Sequence, residues 1–327
     1  MKRDHYYDSV KFVLICLVII GHVFEINRGF NKVSTTLYNF IYFFHMPLFI
    51  FISGFFSKNI DLKKLVRGNF RLLETYIIFQ IIFYVIIFLN KSSVPSTSDI
   101  LNVFVQPYYA LWYLLSLVFW RVLIFLFKPV NKGILITLSI LISLAVGFVQ
   151  GVGYSLSLSK TIVYFPFFIL GYFCTSSVIE KIKMLPKTLC ASILSLSLIL
   201  CFFLTNEDLY KLITGGRSYY ETGYDTWLSL GVRALFYPIS IVLSICFLAI
   251  IKSSRKTSQF GEKTLVFYVY HLFLLLIVSK LLKVIETNFI TEIVASLSII
   301  VCLAIISKFD FFTKILNPVS SFLIKDK

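Results

Sequence analysis

Two stretches, DSVKFVLICLVIIGHVFEI (8–26) and FFHMPLFIFISGFF (43–56), decide how this chain folds. Both are apolar and long enough to cross a bilayer as helices. Both also carry ionisable side chains where lipid is expected: Lys11 and His22 in the first, His45 in the second. A charge at the bilayer centre costs roughly 2.5–3.5 kcal/mol on insertion scales, so such residues point inward to a bundle and mark a functional site. Eleven residues at about 100° each bring Lys11 and His22 onto one helix face, roughly 16 Å apart along the axis. This spacing predicts one wall of a cavity, with a cation at its aqueous edge and a proton-carrying imidazole deeper in. An intramembrane His can also serve only to hydrogen-bond a neighbouring helix, and Lys11 can snorkel outward.

Working outward, similar runs recur near 9–27, 36–56, 74–90, 109–127, 133–150, 161–177, 188–205, 228–250, 265–283 and 289–306. The 327 residues are 58% hydrophobic and only 14% charged, with a mean hydropathy of +0.87, which excludes an ordinary soluble domain. The expectation is an all-α membrane protein of about ten transmembrane helices, a single domain over 1–327. The first run is too long, and too polar at Lys11 and His22, for a cleavable signal peptide. The net charge of +15 tests the orientation. With a cytoplasmic N-terminus, 20 Lys and Arg fall on the cytoplasmic side, 7 on the outer side and 4 within the spans. That bias predicts that both termini are cytoplasmic. The basic balance therefore reports membrane orientation, and no nucleic-acid partner is expected. The six cysteines all lie in or beside apolar runs without metal-ligand spacing, so they read as packing residues and no metal is expected.

Segment 57–73 (SKNIDLKKLVRGNFRLL) is a basic loop in which Arg67 and Arg71 share a face if helical. It suits either phosphate recognition or anionic lipid. Segment 206–227 (NEDLYKLITGGRSYYETGYDTW) offers Arg217 and Tyr219, with further acids and tyrosines, as sugar-contacting groups, or is a plain polar loop. Pro47, Pro166 and Pro238 lie inside spans, where neighbouring groups must satisfy the freed carbonyls. Glu25, three residues beyond His22, either orients the imidazole or belongs to the outer interface. Arg121, Arg233, Tyr268, Tyr270 and His271 are further polar groups in spans, each weak evidence alone. A P-loop, G-x-S-x-G and H-E-x-x-H are absent. From these residues alone, a proton-coupled transporter or flippase, a structural membrane subunit and an enzyme all stay open.

The two opening stretches, followed by LWYLLSLVFWR (111–121), YFPFFILGYF (164–173) and TLVFYVYHLFLL (264–275), resemble the acyltransferase 3 family of integral-membrane acyltransferases. The similarity is to its branch of fucose 4-O-acetylases and capsule O-acetyltransferases, and it runs through essentially the whole chain. The resemblance implies a bacterial cell-membrane enzyme that moves an acetyl group from acetyl-CoA to a hydroxyl of a polysaccharide or lipid-linked oligosaccharide. It maps the family's first-span basic residue and His onto Lys11 and His22, its second-span His onto His45, and its following basic residues onto Arg67 and Arg71. His22 and His45 are then the expected catalytic pair, His22 as general base. Lys11, Arg67 and Arg71 are expected to hold acyl-CoA, and Glu25, Arg121, Arg217 and Tyr219 the carbohydrate. Lys11 departs from the Arg common in relatives and lacks its bidentate fork. Ala110 stands where many relatives carry a polar residue, so no acid–base group is expected from the fourth span.

Overall fold

The computed structural model describes residues 4–58, 61–90, 96–153, 155–285, 287–316 and 318. Every regular element among them is helical: α1 His5–Ile26, α2 Lys32–Phe55, α3 Leu62–Leu89, α4 Thr97–Val105, α5 Trp112–Leu126, α6 Lys132–Ala145, α7 Leu158–Phe173, α8 Ser176–Lys183, α9 Lys187–Leu204, α10 Leu209–Ile213, α11 Thr226–Ile250, α12 Arg255–Gly261, α13 Thr264–Leu282, α14 Phe289–Ile306 and α15 Asp310–Leu316. A single 3-10 turn, Tyr109–Leu111, leads into α5. Nine helical segments among the described residues are long and apolar enough to cross a membrane, so the chain is a multi-pass membrane protein. The tenth expected span, 133–150, is shorter: Lys132–Phe148, finished by a 3-10 turn.

Two other expectations change. The basic segment 57–73 is largely not a loop, because Asp61 accepts the Lys64 amide at 2.8 Å and starts α3 there. Arg67 and Arg71 thus do lie on one helix. The polar segments between spans fold into short helices: α4 with a Ser96/Asp99 capping box, and α8 and α12 beside the ends of spans.

α2 is the most enclosed of the long helices, followed by the segment Tyr109–Leu126 and then by α1 and α7. At the end of the bundle where α1 begins, the Tyr6 hydroxyl donates to the Leu248 carbonyl at the end of α11. At the far end the buried Glu292 carboxylate of α14 accepts from Asn27 (2.7 Å) and from the Ser34 hydroxyl, closing the α1–α2 turn. The fully buried Asn39 of α2 ties that end to the chain after α9 through Thr205. Pro47 cannot donate to the Phe43 carbonyl, and the Ser240 hydroxyl of α11 takes that place.

Backbones touch where α2 crosses α7. A Cβ on Gly54 would overlap the Phe168 carbonyl, and one on Gly171 would overlap that of Phe51. Small residues at such crossings let membrane helices pack without a hydrophobic driving force. Gly171→Ala is therefore expected to lower stability by about 1–3 kcal/mol. Gly231→Ala, with nothing within 4 Å of its added carbon, should leave it unchanged. Thermal unfolding of both variants in detergent checks this, and an unshifted midpoint for Gly171→Ala would contradict the close crossing.

Candidate active site

The last turns of α1 carry His22 and Glu25, and Arg28 follows in the turn just after the helix, so the three side chains form one band. His22 Nδ1 lies 3.1 Å from Glu25 Oε2. Arg28 Nη1 lies 3.4 Å from Glu25 Oε1. The Arg28 guanidinium is itself fixed by stacking 3.3 Å from the Tyr210 ring centroid and 5.1 Å from that of Tyr38. Glu25 thus orients the imidazole, the first of the two roles its spacing left open.

A group the sequence did not reveal completes this cluster. The Tyr109 hydroxyl stands 2.9 Å from His22 Nδ1 and donates a short bond to Glu25 Oε2. Tyr109 has φ +42°, a left-handed conformation unusual for a bulky side chain. Position 110 is apolar as expected, but the residue just before it brings the fourth span to the imidazole.

His45, in the middle of α2, gives Nδ1–H to the Ile41 carbonyl at 2.7 Å, and its Nε2 has no partner among the described residues. Its ring stands 4.6 Å from that of Tyr42, whose hydroxyl lies 3.4 Å from His22 Nδ1. His271 on α13 stacks on His22 with centroids 5.5 Å apart and planes within 13°. Its Nδ1 faces the Phe267 carbonyl at 3.2 Å, and its Nε2 is buried without a partner. Three of the chain's four histidines therefore converge here. Only His22 and His45 carried a strong signal in the sequence, since the place of His271 depends on how α13 passes α1.

His22, Glu25, His45 and Tyr109 line a chamber of about 270 Å3. Its other walls are aromatic and polar: Tyr38, Tyr42, Trp112, Tyr164, Tyr210 and Tyr268, with Ser157, Lys160 and Thr214. A second cavity, of about 340 Å3, lies toward the end where α1 begins and is lined by Lys11, Ser53, Phe56, Leu72, Tyr113 and Arg121. Tyr268 borders both, and its hydroxyl donates to the Ala110 carbonyl in the chamber wall. Tyr268 is thus the one lining residue that the two cavities share. The shared face of Lys11 and His22 does look inward, but each lines a different cavity.

The remaining candidates divide. Lys11 is paired with the buried Asp8, Nζ to Oδ1 2.6 Å. Arg121 lines the second cavity rather than the chamber, over α3 at Gly68, where an added Cβ would come within 3.1 Å of Nη1. Arg67 and Arg71 flank that contact, Arg67 exposed and Arg71 half-buried. The lining of the two cavities contains neither Arg217 nor Tyr219. Tyr219 is fully buried: its ring fills the space over Gly147 and its hydroxyl donates to Leu144. The Arg217 carbonyl accepts from the buried Arg233. Segment 206–227 instead reaches the chamber through Tyr210 and Thr214. A larger apolar cavity between α2, α9 and α11, about 480 Å3, holds no histidine or charged side chain.

A sequence profile of the acyltransferase 3 family, described as an acyltransferase domain, matches residues 4–308. The chain is similar to nodulation protein NolL of Sinorhizobium fredii, 26% identical over 193 residues, or 55% of this chain and 51% of the relative. It is also similar to nodulation protein NolL of Mesorhizobium japonicum, 44% identical over 66 residues, or 19% of this chain and 18% of the relative. The matched regions thus span about half of one of these curated relatives and less than a fifth of the other. No solved structure matches the chain.

The two cavities open toward opposite ends of the bundle. A cysteine at Phe56 and one at Tyr210 should therefore react with a membrane-impermeant maleimide from opposite faces of a sealed vesicle. Labelling of both from the same face would contradict the arrangement.

Proposed function

The chain belongs to the acyltransferase 3 family, and on that premise we propose that it transfers an acetyl group from acetyl-CoA to a hydroxyl of a surface glycan, within a bacterial cell membrane. The observation that carries this reading is the Glu25–His22–Tyr109 cluster in a chamber that shares one lining residue, Tyr268, with a second, cation-bordered cavity. The excess of Lys and Arg on the loops at the end where α1 begins supports a cytoplasmic location for that end. Acetyl-CoA then enters the second cavity. Arg121 and Lys11 line it, and Arg67 and Arg71 stand on α3 either side of Gly68, over which Arg121 lies, so its phosphates would meet cations there. The roughly 16 Å from Lys11 to His22 suits the extended pantetheine arm, which passes Tyr268 to bring the thioester to the chamber. The glycan enters from the opposite end, where tyrosines and Trp112 offer faces for sugar rings.

The reaction follows from the hydrogen bonds. Glu25 accepts from His22 Nδ1–H, which leaves the lone pair on Nε2. Nε2 takes the proton of the acceptor hydroxyl as its oxygen attacks the thioester carbonyl, forming the C–O bond. The Glu25 carboxylate stabilises the imidazolium. When the tetrahedral intermediate collapses, the C–S bond breaks and the imidazolium returns the proton to the leaving thiolate. His45, with its Nε2 unpartnered, orients the thioester or shares that proton. Tyr109 holds Glu25 and His22 in register and is a positioning residue. Membrane walls keep out the water that would otherwise hydrolyse the donor.

A general base contributes about 10²–10⁴-fold, so His22→Ala is expected to lose at least about a hundredfold in acetyl transfer. Glu25→Gln keeps the shape but not the charge and should lose on the order of tenfold to a hundredfold in kcat. Transfer of radiolabelled acetyl from acetyl-CoA to glycan by purified protein in proteoliposomes is the measurement. Unchanged transfer by folded His22→Ala protein would remove the base from this scheme.

A further inference from the structure

Resting on the acyl-transfer reading above, we propose that the Ser157 hydroxyl, at the head of α7, is the hydrogen-bond donor for the oxyanion that forms on the acetyl carbonyl. Attack by the acceptor oxygen pushes the carbonyl π electrons onto that oxygen, and a water-poor site needs a fixed donor facing it. Few donors in the chamber wall are open for this. The hydroxyls of Tyr109, Tyr164, Tyr268 and Thr214 already donate, to Glu25 and to the carbonyls of Ile213, Ala110 and Tyr210. Tyr42 meets His22, and Tyr38 meets Tyr42. His45 gives Nδ1–H to Ile41. Lys160 faces Trp112 and lies in the field of Glu25. The Ser157 hydroxyl, the Trp112 indole N–H and the Tyr210 hydroxyl have no acceptor among the described residues.

Of these three, Ser157 alone stands at a helix head. It lines the chamber and is only 4% exposed, so its hydroxyl is a buried donor. α7 is 16 residues long and receives no side-chain cap from Ser157, so the hydroxyl is not turned back onto the amides of its own helix. The positive end of the α7 dipole adds to the hydroxyl at the same point. Glu25 acts electrostatically on Lys160, three residues further along, which places this head within reach of the wall that holds Glu25 and His22. The backbone here is strained: Leu156 has φ +47° and Ser157 φ +56°. Glycine adopts such a conformation freely and serine does not. Strain of this kind persists where surrounding structure over-determines it, and it concentrates at ligand sites. The turn is fixed on two sides, by Thr161 Oγ1 donating to the Ser157 carbonyl (2.9 Å) and Ser159 Oγ to that of Gly215 (2.7 Å). A donor fixed in this way does not have to reorganise as charge develops.

The positive φ supplies a clean test. Ser157→Gly removes the hydroxyl and relieves the strain, so the variant should unfold near the wild-type temperature. The full-length protein in proteoliposomes is given radiolabelled acetyl-CoA and surface glycan from cells lacking the gene. In Ser157→Gly, kcat should fall about a hundredfold or more while KM for acetyl-CoA and for the glycan hold. Ser157→Asn tolerates a left-handed backbone and brings an amide donor, and should recover a large part of that loss. Trifluoroacetonyl-CoA, whose hydrated ketone mimics the tetrahedral centre, gives a readout without turnover. Wild type should bind it about tenfold or more tightly than CoA, and Ser157→Gly should lose that margin. An undiminished kcat in folded Ser157→Gly overturns the assignment and leaves the acyl-transfer reading standing. So does a loss carried wholly by KM. Absence of transfer by the wild type overturns the acyl-transfer reading itself, and this role with it.

Discussion

An ionised carboxylate inside a membrane bundle is the constraint from which the site follows. Glu25 is stable there only with partners, because an unpaired buried charge costs several kcal/mol. The nearby chain supplies two, His22 one turn before on α1 and Arg28 in the turn just after the helix. Neither alone is sufficient. Arg28 has to be held against Tyr210 and Tyr38, which brings in α2 and the segment after α9. The remaining oxygen capacity goes to Tyr109, which requires a left-handed residue at the entry to α5. The carboxylate therefore organises three distant parts of the chain around one imidazole. The second buried acid, Glu292, does the equivalent job for the scaffold by tying α14 to the turn between α1 and α2.

The sharing of Tyr268 between two cavities suits a reaction between two substrates of opposite character. A polyanionic nucleotide donor needs cations and water at its head, and Arg121 and Lys11 stand on that side. A sugar needs aromatic faces and hydrogen-bonding groups, and these dominate the other. In the proposed reaction the thioester arm would pass Tyr268, the residue that both cavities share, before reaching the chamber. The Lys11–Asp8 pair tempers this picture, since Asp8 offsets part of the charge that the donor side would otherwise present.

Much of this was legible from periodicity. His22, Glu25 and Lys11 could be placed on nearby faces because helix geometry is local, and nine of the spans follow from hydropathy. The start of α3 was obscured by its charges, although the Asp61 cap was there to be seen. Tyr109 was hidden for a different reason: its conformation is imposed by tertiary contacts, and the neighbouring Ala110 drew attention from it. His271 becomes part of the site only through the crossing of α13 and α1. Tyr219 and Arg217 misled because a polar, tyrosine-rich segment looks like a sugar-binding loop. Gly147, seventy residues earlier, leaves the hole that Tyr219 fills.

The three clustered imidazoles differ in what their Nδ1 atoms do, and that difference supports the roles proposed for them. His45 and His271 each face the carbonyl four residues back on their own helix, at Ile41 and Phe267. This is the most economical way to satisfy a histidine in lipid, and it fixes a neutral tautomer with no carboxylate to support a positive charge. His22 alone directs Nδ1 to side chains, at Glu25, Tyr109 and Tyr42. An imidazole beside a carboxylate has a counter-charge for its protonated form, whereas one beside a backbone carbonyl has none. In the reaction proposed above, a proton taken from an acceptor hydroxyl would therefore rest on His22. His45 and His271 supply neutral nitrogen lone pairs beside it, able to position or pass a proton but poorly placed to keep one.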